Sequence, residues 1–297
     1  MLRAFYPLML EKESFCKVNF LLNILGKRPD GFHELETLMH PVGLCDRLSF
    51  DRGGHNIKLT CNDPILPVNA RNLVFRAAAL FLKKTGIKEG VRIHLDKRIP
   101  ISAGLGGGSG NAAATFLALN ELFGHPLAPE TLRDMAAALG SDIPFFLQNR
   151  PALATGRGEI LEPLEFFPAL RSAHIVLIHP GFGISTAWAY QQLARFPEAQ
   201  NGRAGRAASL AALLRAGDHK RAGREFYNSL EAPALRKYPL LELFQEFLRE
   251  NGAWAVLMSG SGSSTFALVE AKEAAERLQD GFKAKFGGKC WTAVVKA

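Results

Sequence analysis

A glycine-rich segment in the first half of the chain has the composition of a phosphate-binding loop. It runs from Gly104 to Gly110 and lies between a strand-like and a helix-like stretch. Because glycine lacks a Cβ, the backbone can approach an oxygen-rich ligand closely, and unpaired N–H groups at the start of the next helix attract anions. The segment therefore predicts binding of a phosphate chain, and triphosphate is the first expectation.

Two widespread phosphate-binding patterns do not fit this segment. The Walker pattern Gly-x-x-x-x-Gly-Lys-Ser/Thr fails because Leu105 stands five residues before Gly110 and Asn111 follows it. The Gly-x-Gly-x-x-Gly pattern of dinucleotide-binding proteins and protein kinases fails as well, because Gly104 and Gly106 lead to Ser109, and Gly106 and Gly108 lead to Asn111. A flexible linker would also explain the glycines, but linkers are seldom placed between a strand and a buried helix.

A second loop of small residues, Ser259–Ser264, lies between two strand-like stretches near the end of the sequence. A hairpin turn would explain it equally well, since glycine and serine are common turn residues. Together with the first loop, however, it suggests that two backbone-rich loops from different domains close on one nucleotide.

Asp142 and Lys17 are the candidates for acid–base chemistry. Asp142 follows a helix end and precedes an apolar run, surroundings that desolvate and tune a carboxylate, although a turn or N-cap aspartate is an equal reading. Lys17 opens a strand, where a surface lysine is the common case. If the two side chains were close, the ammonium would keep the carboxylate ionised and lower the pKa of a neighbouring hydroxyl.

A turn near the end of the first strand is a candidate for recognition of a planar base. Phe32 and His33 follow Pro29, Asp30 and Gly31, so the turn exposes an aromatic ring beside an imidazole. Such a pair can stack on a base and hydrogen-bond to it, although a loop histidine is more often structural or solvent-facing.

The overall charge favours an acidic ligand. The 297 residues carry a formal net charge of +8, which suits a nucleotide, a phosphorylated metabolite or a nucleic acid. The densest basic segment, Arg203–Arg224, is diluted by alanines at helical spacing and contains no aromatic ring for base stacking. A solvated helical face is therefore favoured over a nucleic-acid-binding surface.

Neither a membrane nor an export route is indicated by the sequence. No run approaches the roughly 18 apolar residues of a membrane span, and Met1–Ser14 makes a poor signal peptide. The four cysteines are sparse and show no Cys-x-x-Cys spacing, which is typical of a reducing compartment. We expect a cytoplasmic protein.

Hydrophobic periodicity predicts alternating strands and helices in the first half and a restart after a junction at residues 156–172, where glycines and prolines interrupt the pattern. The predicted strands are Lys17–Leu25, Val91–Leu95, His174–Ile178, Ala253–Met258 and Thr265–Val269. The predicted helices are Asn72–Lys84, Asn111–Phe123, Ser185–Leu193 and an amphipathic Arg236–Glu250.

Taken in order, these motifs resemble the GHMP kinases. The resemblance spans residues from about 15 to 270 and rests on Lys17–Asn19, Gly26–Glu34, Pro100–Asn111, Gly140–Pro144 and Ser259–Ser264. The glycine loop with the serine loop is specific for the superfamily. The Gly26–Glu34 segment points within it to a kinase of a cytidine diphosphate alcohol, with a homoserine or mevalonate type of kinase as the alternative and a basic nucleic-acid-binding module as a more distant one.

The resemblance implies an α+β fold in two domains, a ribosomal-protein-S5-like domain over residues 1–165 and a ferredoxin-like domain over residues 166–297. It implies ATP with Mg²⁺ as co-substrate, with unknown metal ligands apart from the candidate hydroxyl of Ser109. The partners would be small molecules, without nucleic acid or membrane, and the protein would be a monomer or a homodimer.

The resemblance also assigns roles to individual residues. Lys17 and Asp142 would be the catalytic pair, with Asp142 as the base or as the group that orients the hydroxyl. ATP would be held by Pro100, Ile101, Ser102, Ala103, Gly104, Leu105, Gly106, Gly107, Gly108, Ser109 and Gly110, with Lys97, Asn72 and Asn111 nearby. The substrate would contact Asn19, Phe32, His33, Phe182, Gly260, Ser261 and Gly262. The sequence departs from the family where Phe32 replaces a more usual tyrosine, Gly110 a serine and Cys16 an alanine.

Overall fold

The computed structural model describes residues 9–200 and 203–297. Residues 1–8, which belong to the segment interpreted above as a poor signal peptide, lie outside the described residues. The described chain forms two compact units, each built from separate stretches of sequence. The first contains the described residues up to Phe15 with Leu44–Ile99 and Gly107–Asn149, and the second contains Cys16–Gly43, Pro100–Gly106 and Arg150–Ala297. The expected domain boundary between residues 165 and 166 stays a prediction.

The described chain contains both strands and helices, and they alternate only in part. Up to residue 163 they are β1 (Leu10–Lys27), β2 (His33–Arg52), β3 (Ile57–Cys61), α1 (Leu73–Thr85), β4 (Val91–Asp96), α2 (Gly107–Leu122), α3 (Pro129–Leu139), α4 (Ile143–Gln148), β5 (Ala152–Thr155) and β6 (Ile160–Pro163). After it come β7 (His174–His179), α5 (Thr186–Leu193), α6 (Arg206–Arg215), α7 (His219–Glu225), β8 (Tyr227–Asn228), α8 (Glu231–Lys237), α9 (Leu240–Glu250), β9 (Ala255–Met258), β10 (Thr265–Val269), α10 (Lys272–Phe286) and β11 (Trp291–Lys296).

The strands of the first unit lie in the order β3-β4-β2. The last residues of β2, Arg47–Arg52, pair antiparallel with β4, and β3 pairs parallel with β4. The unit also contains helices α1 to α4. The strands β1 and β2 are long enough to contribute residues to both units.

The second unit contains further strand pairs and a separate four-stranded sheet. Within it β2 pairs antiparallel with β5, β5 pairs with β6, and β1 pairs parallel with β8. The four-stranded antiparallel sheet has the order β11-β7-β10-β9, so its strands lie fourth, first, third and second in the sequence of this sheet. That order, with helices between the first two and the last two strands, is the expected ferredoxin-like arrangement.

Helix α1 has the ends that its sequence predicts. The side chain of Asn72 accepts a hydrogen bond from the backbone N–H of Val74 at the N-terminus. Gly86 adopts a φ of 72° and closes the helix with a backbone bond to Leu82. Because only glycine takes this left-handed conformation without strain, the predicted stop at Gly86 is confirmed.

Helix α2 is mostly apolar and buried as predicted, but the predicted start at Asn111 is wrong. The helix begins at Gly107, so the second half of the glycine segment forms its first turn. The glycines there serve close packing, because a Cβ on Gly110 would lie 2.8 Å from the carbonyl oxygen of Phe15, and one on Gly107 would lie 3.0 Å from Ile99 Cγ2. Glycine is a poor helix former, and here the packing overrides that tendency.

The predicted single helix Arg236–Glu250 is also wrong, because two helices occupy this stretch. Helix α8 ends at Lys237 and α9 begins at Leu240, with Pro239 at the N-cap position. Proline has no N–H group and disfavours helical conformation in the preceding residue, so the chain turns at Tyr238. Helix α9 keeps the expected amphipathic pattern and buries Leu241, Phe244 and Leu248.

The remaining predicted elements of the second half are confirmed. Strand β7 and helix α5 occupy the expected positions, with Ser185 capping α5 through a bond from Trp188 N. Strands β9 and β10 pair antiparallel around the Ser-Gly loop. In the predicted junction, Gly156 and Gly158 adopt positive φ in the turn between β5 and β6, so turn geometry accounts for the first of its glycines.

No helix within residues 9–200 and 203–297 has the length and apolar character that a membrane span requires.

Candidate active site

Three buried polar side chains on β1 and β2 form a connected chain in the second unit. Lys17 Nζ donates to Asn19 Oδ1 at 2.5 Å, and Asn19 Nδ2 donates to Thr37 Oγ1 at 2.9 Å. The Thr37 hydroxyl in turn donates to the carbonyl oxygen of Leu21 at 2.6 Å. Alternate residues of a strand share one face, which is why Lys17 and Asn19 lie side by side. The chain fixes the orientation of the Asn19 amide and holds a buried ammonium beside it.

The first half of the glycine segment is a tight loop with several left-handed residues. Ser102, Gly104 and Gly106 have φ values of 55°, 78° and 70°. A Cβ on Gly104 would lie 2.1 Å from the carbonyl oxygen of Ser259, a distance that no side chain can accommodate. The side chains of Ala103 and Leu105 are buried and anchor the loop. Glycine at position 104 is therefore required both by conformation and by contact.

The serine loop is bonded directly to this glycine loop. Ser259 Oγ donates to the carbonyl oxygen of Gly104 at 2.9 Å, and Ser264 N donates to that of Ala103 at 3.1 Å. Asn228 supports the serine loop from beneath, because its amide nitrogen donates to the carbonyl oxygens of Met258 and Gly260. The structure thus brings the two small-residue loops together. Both belong to the second unit, whereas the sequence led us to expect loops from different domains.

Gly260 lies where the loops meet the buried lysine. A Cβ on Gly260 would be 3.5 Å from Lys17 Nζ, 3.4 Å from Asn19 Oδ1 and 3.3 Å from the carbonyl oxygen of Gly104. Four predicted site residues, namely Lys17, Asn19, Gly104 and Gly260, therefore converge on one place in the second unit.

The other small residues of the serine loop contact α5, the segment before it and β9. Ser261 Oγ shares a 2.8 Å hydrogen bond with Thr186 Oγ1. Ser263 Oγ donates to the carbonyl oxygen of Phe182, and the ring of Phe182 packs on Tyr238 with 4.9 Å between centroids. Gly262 packs on Met258, whose sulfur would be 2.5 Å from an added Cβ.

In the first unit, Asp46 binds the residues that follow β4 and a residue in the first turns of α2. Its carboxylate is fully buried and accepts hydrogen bonds from Lys97 Nζ at 2.6 Å and Asn111 Nδ2 at 2.9 Å. It also accepts from the backbone N–H groups of Arg98 and Ile99, at 2.7 and 2.8 Å. The Lys97 ammonium and the Asn111 amide, both predicted near ATP, are thus bonded within the protein and fix the strand-to-helix connection.

Asn72 and the remaining glycine-segment residues divide into buried and accessible groups. The Asn72 amide caps α1 and donates to the carbonyl oxygen of Pro67 at 2.7 Å, so its role in the structure is local. Gly108 at the start of α2 is exposed and Ser109 is half-buried. The solvent-accessible side of this first turn is where an anion can approach. Pro100 and Ile101, also predicted to bind ATP, are half-buried.

Asp142 occupies the N-cap position of α4 without acting as its cap. Its side chain makes no capping hydrogen bond to the helix, and its backbone is helical rather than extended. The capping explanation for this aspartate is therefore wrong. The side chain is half-buried and precedes the buried run Ile143–Phe146.

The predicted base-binding turn combines an exposed ring with a partly buried imidazole. Asp30 Oδ1 accepts from the backbone N–H of Phe32 at 3.1 Å, and Arg28 bridges Asp30 and Glu34. Phe32 is 54% exposed. The His33 ring packs against Tyr190 of α5, with 5.1 Å between centroids.

The environment of His33 favours its neutral form. Burial lowers the pKa of His33, and the nearby positive charge of Lys27 lowers it further. A neutral imidazole has one nitrogen that donates and one that accepts, which is what recognition of a base edge requires.

Glu231, the first residue of α8, ties the serine loop to a group that titrates near neutral pH. Its Oε1 accepts hydrogen bonds from Met258 N at 2.7 Å and from Gln245 Nε2 at 2.6 Å. Burial raises the pKa of this carboxyl to about 7, although the two hydrogen bonds act in the opposite direction. Met258 directly precedes the serine loop.

A basic groove of about 460 Å³ lies beside α5 and α8, on a different face of α5 from Tyr190. Trp188 lines the groove. Residues two positions apart in a helix point about 200° apart around its axis, so Trp188 and Tyr190 lie on different faces of α5. Its cations, Arg195, Arg236 and Lys237, lie at the C-terminal ends of the two helices, where positive charge offsets the helix dipole. Compensation of the helix dipoles is sufficient to explain these positive charges.

Sequence reasoning missed several side chains that the structure places in these networks. Among them are Thr37, Asp46 and Tyr190. A charged residue between Leu44 and Leu48 of an apolar strand is a signal that could have identified Asp46. The others have ordinary residue types at ordinary positions, and only the fold brings them to their partners.

Comparison with known proteins agrees with this geometry. Residues 72–150 match the family "GHMP kinases N terminal domain", and residues 210–288 match "GHMP kinases C terminal". A curated relative from Synechococcus sp. (strain JA-3-3Ab), a 4-diphosphocytidyl-2-C-methyl-D-erythritol kinase, is 41% identical over 271 residues, which are 89% of this chain and 86% of the relative.

Solved structures give the same result. The crystal structure of a 4-(cytidine 5'-diphospho)-2C-methyl-D-erythritol kinase superposes with a TM-score of 0.81 at 36% identity, covering 97% of this chain and all of the other. Homoserine kinase from Cytophaga hutchinsonii superposes with a TM-score of 0.75 at 21% identity, covering 100% and 96% of the two chains. The second match is evidence for the fold alone.

Proposed function

The chain belongs to the GHMP kinases, and on this premise we propose that it transfers the γ-phosphoryl group of ATP to the 2-hydroxyl of 4-diphosphocytidyl-2-C-methyl-D-erythritol, a step of non-mevalonate isoprenoid synthesis. Its relatives at about 40% identity carry this activity in their names. The observation that carries the proposal is the turn with Phe32 and His33, backed by Tyr190, in the same unit as two bonded small-residue loops.

The glycine loop and the serine loop would bind the triphosphate. Residues Pro100–Gly106 offer backbone N–H groups, and the glycines among them let an oxygen approach closely. The first turn of α2, with the exposed Gly108, is a separate candidate for a phosphate contact. Phosphoryl transfer depends mainly on such positioning and on charge neutralisation. We assign Lys97, Asn72 and Asn111 to shaping this region, since their side chains are bonded within the protein.

Asp142 would accept the proton of the substrate hydroxyl. The hydroxyl oxygen would form a bond to the γ-phosphorus while the bond between that phosphorus and the ADP oxygen breaks. Lys17 would stabilise the negative charge that develops in this step, and Asn19 would hold the ammonium in place. A buried cation whose position is fixed by the protein can stabilise developing negative charge without reorganising during the reaction.

The cytosine of the substrate would lie against Phe32, with His33 at its edge and Tyr190 behind His33. Gly260, Ser261 and Gly262 would contact the remainder of the substrate. Phe182, whose ring packs on Tyr238, stays a prediction as a substrate contact.

Magnesium fits this site as a companion of ATP. Within the described ranges no group of three His, Cys, Asp or Glu side chains could hold a metal ion by itself. Mg²⁺ commonly binds through substrate phosphates with few protein ligands, and the Ser109 hydroxyl is a candidate ligand. When bound, the ion would neutralise phosphate charge.

We place the reaction in the cytoplasm and expect a monomer or a homodimer that requires neither nucleic acid nor a membrane.

A substrate panel tests the proposal. ATP turnover is measured with 4-diphosphocytidyl-2-C-methyl-D-erythritol, homoserine and mevalonate, and the cytidylated alcohol should be the preferred substrate by orders of magnitude in kcat/KM. Preference for homoserine or mevalonate would replace this proposal by the other GHMP activity. Tight RNA binding without ATP turnover would replace it by a nucleic-acid-binding function.

A further inference from the structure

The ring of Phe32 is exposed, and the turn Asp30–His33, here called the base-recognition turn, fixes its backbone but not the orientation of its side chain. Its backbone N–H is fixed by Asp30, but more than half of its surface is in contact with solvent. A free aromatic side chain in such a position would change rotamers and would lose that freedom on binding a base. Something on the protein must restrict the ring if it is to bind without this cost.

The turn between β5 and β6 reaches this ring. Strands β2 and β5 pair antiparallel with Thr37 opposite Ala154, and Leu35 N donates to the carbonyl oxygen of Gly156 at 2.9 Å. Continuing this register places the turn beside the residues that precede Leu35. There the guanidinium carbon of Arg157 lies 4.8 Å from the centroid of the Phe32 ring.

Arg157 is itself held in place by its own turn. Its backbone N–H donates to Glu159 Oε2 at 2.6 Å, and its Nε lies 3.4 Å from Glu159 Oε1. Flanking glycines 156 and 158, both at positive φ, let the short turn present the side chain between them. A planar guanidinium held by a carboxylate can lie flat on a ring, which a lysine ammonium cannot do.

We propose that Arg157 is a positioning residue that covers one face of Phe32 and so prepares the other face to stack on the cytosine of the substrate. This inference rests on the proposed function. Arg157 acts on the ring and not on the phosphates of the substrate. Its contribution therefore appears in the affinity for anything that carries cytosine, charged or uncharged, and leaves the chemical step and ATP binding unchanged.

Steady-state kinetics with competing ligands test this role. For wild type, Arg157→Ala, Phe32→Ala and the double variant, we would measure KM for the cytidylated substrate, KM for ATP, kcat, and inhibition constants for CMP and cytidine. Arg157→Ala should raise KM for the substrate and both inhibition constants by about two- to fivefold, the size typical of an exposed cation–π pair. It should leave kcat and KM for ATP unchanged, and it should have no further effect when Phe32 is already alanine.

Arg52→Ala is a matched control, because its guanidinium carbon lies 4.9 Å from the Phe123 ring and its side chain also pairs with a glutamate. It should leave every cytosine-dependent constant unchanged. The proposal is overturned if Arg157→Ala has no effect, if it weakens CMP but not cytidine, or if its effect persists in the Phe32→Ala background. If neither Arg157→Ala nor Phe32→Ala changed KM for the cytidylated substrate or the inhibition constants for CMP and cytidine, the result would instead contradict the proposed function itself.

Discussion

In the second unit, the two small-residue loops proposed to bind phosphate, here called the phosphate loops, and the base-recognition turn proposed to recognise the base differ in which groups they present. At the loops, backbone groups and glycines meet at contact distance, and the surrounding side chains are buried and bonded to one another. At the turn, the recognising groups are side chains, one of which is more than half exposed. A triphosphate is the same in every kinase of the family, whereas the alcohol differs.

This difference teaches where tolerance to substitution lies. Where the two loops contact each other closely, as at Gly104, no residue type other than glycine fits, because an added Cβ would meet a carbonyl oxygen. A side-chain platform on an exposed turn can exchange one aromatic ring for another without disturbing the core. Specificity can then change at the turn while the loops stay fixed, and the following variants test that division.

The largest effect is expected at Asp142, the group assigned to the reaction and not to either recognition region. Asp142→Asn removes a general base without changing size, so kcat should fall by about 10²- to 10⁴-fold while KM for ATP stays close to wild type. Rapid-quench measurement of the chemical step checks this. Asp134→Asn, an exposed aspartate on α3, is the control and should retain full activity. Near wild-type kcat for Asp142→Asn would remove this residue from the mechanism.

Gly104→Ala should break the phosphate cradle. The residue has a φ of 78°, and its new Cβ would lie 2.1 Å from the carbonyl oxygen of Ser259, so the two loops must separate. We expect the free energy of unfolding to fall by about 3 kcal/mol and KM for ATP to rise more than KM for the alcohol.

Gly124→Ala separates contact from conformation in that experiment. Gly124 has the same φ of 78° but nothing within 4 Å of an added Cβ. Its substitution should cost only about 1 kcal/mol, measured by urea denaturation. Equal losses for the two variants would mean that the contact between the loops does not constrain position 104.

The ends of the elements were more predictable than the networks inside the site. Asn72 and Gly86 mark the limits of α1 through local chemistry that is visible in the sequence. The start of α2 was not predictable, because its glycines are required by close packing against Phe15 and Ile99, which lie outside the helix. Pro239 was a readable signal for the break between α8 and α9 that the amphipathic pattern concealed.

The same distinction applies to the candidate site. The glycine loop, Lys17, Asn19 and Gly260 could be selected by residue type, and the structure brings them together. Asp46 and Tyr190 could not be assigned to a partner, because a hydrogen bond across 51 residues or a ring contact between β2 and α5 depends on the fold.

The stability of the protein should also depend on pH through Glu231, which is bonded beside the serine loop. Its folded pKa of about 7 lies above the ordinary value of 4.5, so between these values the folded protein keeps a proton that the unfolded chain has released. Stability from this group is therefore present below pH 4.5 and is lost as the pH rises through 7. Unfolding in urea should show a loss of about 2 kcal/mol between pH 5 and pH 8.

Glu231→Gln should flatten that pH dependence, because an amide accepts the same hydrogen bonds without titrating. Glu246→Gln, an exposed residue of α9, should leave it unchanged. An unaltered slope in Glu231→Gln would show that other carboxyls determine the pH dependence.

At the base-recognition turn, His33→Ala should affect only the alcohol. Its neutral imidazole, packed on Tyr190, would be lost from the edge of the cytosine. We expect KM for the cytidylated substrate to rise by about tenfold, the value of one good hydrogen bond, while KM for ATP changes less than twofold. His55→Ala, an exposed loop histidine, is the control. Equal increases for both substrates would contradict the separation between turn and loops.

The smallest effect is expected for Phe32→Tyr, and it is the sharpest test of tolerance at the turn. Tyrosine retains the ring that Arg157 covers and that would stack on the cytosine, and at this exposed position its hydroxyl can remain in water. KM for the cytidylated substrate should therefore stay within about twofold of wild type, whereas Phe32→Leu, which keeps an apolar side chain without a ring, should raise it severalfold. If leucine were tolerated as well as tyrosine, apolar contact and not ring stacking would be what the turn supplies. A large loss with tyrosine would mean that the turn is as closely packed in the complex as the glycine cradle.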